Sequence, residues 1–283
     1  MSETELNELF DAKPNIAGST KDQYKSHYKK ITGELDRPIR LSTEQEIINA
    51  METVYNTASS KWSAISVPII IYQINKLPID KLETYRQLIL QQKTEHLKDR
   101  NKEKNVSLPP VAELKKHLDE LINKDDYRSF VINYLLTNFG VRNEDLDCFI
   151  TSDKSQLADD SRNYLLVLKT QIQYIRNRYK TFKTYGPKKI IIKSPSFVVA
   201  VSELPQNEYL LVDAKGNHIA PYSMGRYIQD RTYKNLSEGD IFKILVRDIT
   251  QKGKNVLSKL NQLSDWRGTD IKTIAESYDL DLE

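Results

Sequence analysis

The sequence predicts a mainly α-helical protein with a small antiparallel β-sheet, divided into two domains. Three observations carry this. Apolar residues recur at helical spacing through most of the first hundred positions. The stretch at 98–110 is charged, poor in apolar residues and ends in two prolines, which marks a boundary. Residues 161–202 then hold two apolar runs either side of a basic turn, the pattern of a β-hairpin. The division is 1–100 for a helical domain, 101–110 for a linker and 111–283 for a second domain with the sheet.

In the first domain, Ser19 or Thr20 can cap a helix through Tyr24, Tyr28 and Ile31. The same segment carries Lys21, Lys25, Lys29 and Lys30, a solvated face or a set of phosphate contacts. Thr43, with Glu44 and Glu46 behind it, opens a helix whose stripe is Ile47, Ile48, Met51 and Val54. Trp62, Ile65 and Ile69 supply a third helix, and a fourth runs from Ile79 to about Leu97. Past the linker, Val111–Leu121 and Tyr127–Asn138 form an amphipathic pair, ended by Gly140 as a C-cap. Asn143-Glu144-Asp145 starts the next helix. The hairpin pairs Leu165–Ile175 with Ile190–Ile192 across a tip at Arg178–Pro187. Glu208–Asp213 is a short strand, and Ser223–Arg231, Asp240–Ile249 and Asn255–Leu263 are helices. Asp270 caps a last helix with Ile271, Ile274, Ala275 and Tyr278 on one face.

Composition narrows the function. The chain has 283 residues, 39% apolar and 29% charged, enough apolar material for real cores. Net charge is only +3, so any polyanion must be met by local charge. Between Ser161 and Ser202 there are nine Lys or Arg residues and no acid, with Tyr164, Tyr174, Tyr179 and Tyr185 threaded among them. That is the footprint of a surface that meets phosphates. Arg176, Arg178, Lys188 and Lys189, with Lys21, Lys25 and Lys29, are the expected DNA contacts.

Several chemistries are set aside. One cysteine, Cys148, allows neither an internal disulfide nor a thiolate metal site from this chain alone. The four histidines are scattered, and no Gly-rich phosphate loop or G-x-S-x-G elbow occurs, so no metal and no cofactor are expected. The N-terminus lacks a basic and an apolar signal region, and the longest apolar run, Val67–Tyr72, is far short of the ~20 residues that a membrane helix needs. An intracellular protein, without a membrane partner, is the expectation.

What remains is a series of cations and a tyrosine: Arg142, Lys180 or Lys183, Arg247 and Tyr278. Attack of an alcohol on a phosphodiester builds negative charge on the non-bridging oxygens. Two arginines can hold that charge with paired N–H donors. Tyrosine can serve as nucleophile and keep the bond energy in a phosphotyrosine. A lysine whose pKa neighbouring cations lower can protonate the leaving 5′ oxygen. Each residue also has a plainer use: Arg142 beside Glu144 and Asp145, Arg247 in a buried ion pair, Tyr278 in the packing of the last helix.

In this order the motifs resemble those of the tyrosine recombinases, or phage-integrase family. N-F-G-V-R-N-E-D-L (138–146) is similar to the first arginine motif and R-Y-K-T-F-K-T-Y-G (178–186) to the lysine hairpin. I-L-V-R (244–247) occupies the place of H-x-x-R, and D-W-R-G-T-D-I-K-T-I-A-E-S-Y (265–278) resembles the motif ending in the nucleophile. Residues 15–75 look like the helical core-binding domain. The likeness is to divergent members from large DNA viruses and mobile elements, so it adds a viral replication site or virion to the places of action. It implies a two-domain clamp on double-stranded DNA, a tetramer, and recombination or integration with Tyr278, Arg142, Arg247 and Lys180 as catalytic residues. Two histidine positions depart from the pattern. Ile244, beside Lys243, stands at one, and Arg267, Trp266 or Thr269 lies nearest the other. Lys183, Lys243, Arg267 and Trp266 are therefore the candidate substitutes. The same departures leave room for an inactive, DNA-binding or virion-associated homologue, and a type IB topoisomerase-like nicking-closing enzyme is a third reading.

Overall fold

A computed structural model gives the structure of the chain; it describes residues 4–253 and 255–278, with the backbone alone at 97–106 and 276–278. The chain forms two compact units, Met1–Glu103 and Lys104–Glu283. The architecture is mainly α with one small sheet, as the pattern predicts.

The first unit is built from α1 (Thr4–Ala12), α2 (Gly18–Leu35), α3 (Glu44–Val54), α4 (Ala58–Ala64), α5 (Ser66–Ile74) and α6 (Asp80–Ser107). Its core takes the expected stripes: Tyr28 and Ile31, Ile47 and Met51, Ile65 and Ile69 are all buried. Thr43 and Glu46 close a capping box on α3. By contrast, α2 begins at Gly18 without a side-chain cap, so neither Ser19 nor Thr20 fills that role. Glu5, 1% exposed, accepts hydrogen bonds from the Tyr28 hydroxyl at 2.8 Å and from the Ile39 and Arg40 amides at 3.1 and 2.8 Å. One buried carboxylate thus joins α1, α2 and the turn before α3. The stretch read as a linker is helical up to Ser107, because Lys, Arg and Glu are good helix formers; Pro109 and Pro110 follow it.

The second unit continues with α7 (Val111–Asn123) and α8 (Tyr127–Phe139), packed through Leu114, Leu118 and Leu121 and through Phe130, Val131 and Leu135. Gly140 ends α8 in the left-handed region at φ 58°. A Cβ there would lie 2.8 Å from Leu263 and 2.9 Å from Phe242, so close packing also demands glycine. Asn143–Leu146 is a single 3₁₀ turn rather than the expected helix.

The strands are β1 (Cys148–Thr151), β2 (Asn163–Leu168), β3 (Gln171–Arg176), β4 (Lys188–Ile192) and β5 (Glu208–Tyr209), in the order β4-β3-β2-β1-β5. The sheet is mixed, not antiparallel throughout: β1 and β2 run parallel, since residues 152–162 carry the chain back before β2 begins. The run Leu165–Ile175 is two strands, reversed at Lys169-Thr170. That turn lacks the Asn-Gly or Gly-Gly signature that reveals a two-residue hairpin. The expected basic tip, Arg178–Pro187, is the connection between β3 and β4, and it contains the one-turn helix α9 (Phe182–Tyr185). After β4 come α10 (Pro195–Glu203), α11 (Pro221–Gln229), α12 (Glu238–Gln251), α13 (Val256–Arg267) and α14 (Ile271–Tyr278). Buried Ile274 fixes α14 to Phe242, Leu245, Leu260 and Leu263 of α12 and α13. Among the described residues no helix is long and apolar enough to cross a membrane, and no group of His, Cys, Asp or Glu could hold a metal ion.

Buried His27 shares hydrogen bonds with the Tyr55 hydroxyl at 2.8 Å and the Ser63 hydroxyl at 3.1 Å. Burial, then the charge of Lys30, lowers its pKa from the ordinary 6.5. The unfolded chain therefore binds a proton on this ring at a pH where the folded chain does not, so stability falls as pH drops below 6.5. Urea midpoints of the full chain should decline from pH 7 to pH 5, about the range of ordinary histidine titration, and His27→Gln should flatten that decline.

Candidate functional site

The site begins where α8 stops. The left-handed Gly140 turns the chain so that Val141 is buried and Arg142 emerges at the start of the 3₁₀ turn. Asp145 holds that turn: its carboxylate accepts the Arg142 amide at 2.9 Å. The same oxygen pairs with Arg176 Nη1 at 3.0 Å, and both side chains have no exposed surface. A second nitrogen of Arg176 donates to the Trp266 carbonyl at the end of α13. Tyr174 adds a hydrogen bond from its hydroxyl to the Asp145 carbonyl at 2.8 Å. One ion pair thus ties together the Arg142 turn, strand β3 and the end of α13. Burial pushes the Asp145 carboxyl up, against the opposing pull of Arg176 and of the Arg142 amide.

That bracing brings the Arg142 and Arg267 segments together. Arg142 Nη1 donates to the Arg267 carbonyl at 2.6 Å, and Arg267 Nη1 donates to the Gly140 carbonyl at 2.6 Å. Each arginine therefore holds the backbone of the other's segment. Arg267 also pairs with Glu238 in the first turn of α12, and its guanidinium carbon lies 4.0 Å from the centre of the Phe242 ring. The other Glu238 oxygen accepts the Asn143 amide at 2.8 Å. Burial, followed by the charge of Arg267, lowers the pKa of Arg142. Like charges in one half-buried place favour a neighbouring anion, and Glu238 supplies one on the Arg267 side.

The β3–β4 connection is fastened to the same place. The Thr181 hydroxyl donates to the Gly268 carbonyl, and Lys188 donates to the Asp265 carbonyl at 2.7 Å while pairing with its carboxylate. Gly268 ends α13 at φ 63°, and a Cβ there would lie 2.6 Å from Tyr179. Lys180 and Lys183 are exposed on this connection, on either side of Thr181. Arg178 and Lys189 are exposed as well, whereas Lys188 is held by Asp265.

The expected residues do not all converge. Arg142, Arg267 and Trp266 come together, with Trp266 edge-on to Phe139 at 5.0 Å. Arg247 lies farther along α12. It lies nine residues beyond Glu238 on α12, which at ~100° per residue is the opposite side of the helix. There it donates to the Leu108 and Pro109 carbonyls, beside a groove of about 260 Å³ lined by Val111, Ile244, Asp248 and Gln251. Ile244, at the expected histidine position, is fully buried, and Lys243 is half-buried next to it. Arg176 is corrected outright. Expected on the DNA-facing surface, it is fully buried and braces the site from within. In the first unit Lys29 is exposed, while Lys21 and Lys25 lie over the Phe10 ring at 5.5 and 6.0 Å. Tyr278 is the last residue of α14, and its side chain lies outside the described residues.

Asp145, Glu238, Thr181 and Gly268 were not singled out from the sequence as functional residues. Asp145 is readable only as a neighbour of Arg142, and Gly268 stands five residues past the expected helix end at Leu263, where a glycine can close a longer helix.

No protein-family model matches the chain, and no curated protein matches it. Among solved structures, the crystal structure of XerA recombinase aligns with 99% of this chain and 94% of its own, at 15% identity and a TM-score of 0.38.

Replacing Asp145 by Asn leaves the Arg176 charge buried and uncompensated. Denaturant unfolding should show a loss of about 3–5 kcal/mol, and adding Arg176→Met to that variant should recover part of it.

Proposed function

We propose that this protein binds duplex DNA and breaks and rejoins it in the manner of a tyrosine recombinase. The observation that supports this reading is the meeting of Arg142 and Arg267, 125 residues apart in the chain, at one half-buried point. Lysines alone would give a diffuse field; planar guanidinium groups from two adjoining segments can share the oxygens of a single phosphate. In this reading Arg142 and Arg267 hold the scissile phosphate, and Arg267 takes the part that the motif order gave to Arg247. The Tyr278 phenolic oxygen attacks phosphorus and the 5′ oxygen leaves. Lys180, next to the anchored Thr181, supplies the proton to that oxygen, with Lys183 as its alternative. The returning 5′ hydroxyl reverses the step, so no nucleotide cofactor is needed. Recombination or integration, assembly as a tetramer on DNA, and a place of action inside a cell or virion go with the family resemblance.

A second reading, DNA binding without cleavage, is favoured by one observation: the buried Ile244 offers no general base where the family has histidine. That loss is worth about 10²–10⁴-fold in rate.

The experiment is incubation with nicked duplexes that trap a covalent intermediate. A protein–DNA adduct should form and should vanish with Tyr278→Phe. Arg142→Ala and Arg267→Ala should each slow its formation by about 10²-fold or more, the effect of removing an oriented donor to a developing oxyanion. Arg247→Ala should slow it far less. DNA binding with no adduct at all selects the second reading.

A further inference from the structure

The connection between β3 and β4 carries a feature that the phosphate site does not use. Phe182 is 38% exposed and Tyr185 is 41% exposed. They stand three residues apart on α9, which puts both on one side of a single helical turn. Scattered exposed apolar residues are ordinary, but these two are held in place by a built scaffold. The Tyr179 hydroxyl closes the base of the loop on the Gly186 carbonyl at 2.6 Å, and Gly186 caps α9 through the Phe182 carbonyl at 2.8 Å. Phe182 meets Tyr179 edge-on at 6.1 Å, and the Lys188 ammonium lies 5.5 Å from the centre of the Tyr185 ring. Thr181, directly before Phe182, is bonded to the residue that follows Arg267.

The surroundings say what such rings would meet. Arg178, Lys180, Lys183 and Lys189 are exposed around them, and the sequence from Ser161 to Ser202 contains no acid. The partner is therefore anionic and has flat faces to cover the rings. A nucleotide is both. Within a duplex, however, base faces are already stacked on one another, so an aromatic side chain can cover only a base that has left the helix or lost its partner. A membrane surface is disfavoured, since α9 is one turn long and offers no extended amphipathic face.

We propose that Phe182 and Tyr185 form a stacking platform for unpaired nucleotides next to the phosphate held by Arg142 and Arg267. This inference rests on the DNA reading above and deepens it. The preferred substrate is a duplex that is locally opened at the point of contact, rather than one that is fully paired.

The test is fluorescence anisotropy with the full-length protein and two labelled probes, a duplex of random sequence and the same duplex with a short unpaired bulge. The wild-type protein should bind the bulged probe more tightly. The double variant F182L/Y185L, which keeps apolar bulk but removes both rings, should lose that preference by roughly tenfold, as stacking on one or two bases predicts, with duplex binding unchanged. K180A/K183A should weaken both probes alike. Equal affinity of the wild-type protein for the two probes, or a preference that survives F182L/Y185L, overturns the platform while leaving the DNA reading intact. Binding to anionic phospholipid vesicles but to neither probe overturns both.

Discussion

The buried ion pair between Asp145 and Arg176 is the constraint on which the candidate site depends. Three segments that are distant in sequence meet at it: the turn after α8, the end of β3 and the end of α13. A buried pair of this kind is not a strong source of stability, because both charges must leave water. Its effect is on geometry. Removing either charge strands the other, so the three segments have one satisfactory arrangement. In that arrangement Arg142 holds the Arg267 carbonyl and Arg267 holds the Gly140 carbonyl, two residues before Arg142.

Electrostatics then follow from the packing. Arg142 is half-buried beside a second guanidinium, and its pKa is lowered by that burial and that neighbour. Glu238 neutralises part of the excess on the Arg267 side, and its second oxygen fixes the Asn143 amide. The β3–β4 connection adds exposed cations to the same locality through the Thr181–Gly268 bond and the Lys188–Asp265 pair. The result is a small positive centre with a basic loop fastened to it. This arrangement is what supports the proposed phosphate contact.

Much of the fold was legible from helical spacing. The stripes at Tyr28–Ile31, Ile47–Met51 and Leu114–Leu121 are buried as read, and Gly140 ends its helix as read. The sheet was less legible. Lys169-Thr170 reverses the chain without a turn signature, so two strands looked like one, and the parallel pairing of β1 with β2 has no local signal. Of the site, Arg142 was found from its position after a glycine. Arg176 reads as exposed because it stands in an acid-free basic run, and its acid, Asp145, lies 31 residues away. The partner of Arg142 was sought at Arg247, from motif order. Which side of α12 meets the Arg267 segment is set by how that helix packs, and it is Glu238 that pairs with Arg267.

The proposal at the centre of this reading is that Arg142 and Arg267, rather than Arg142 and Arg247, act on one phosphate. Arginine side-chain NMR, with isotope-labelled full-length protein titrated with a short DNA duplex, measures this directly. The account predicts that the Nε–H signals of Arg142 and Arg267 shift together along one binding curve, with Arg247 unmoved and Arg176 still protected from solvent exchange. A curve shared by Arg142 and Arg247, with Arg267 unaffected, would contradict it.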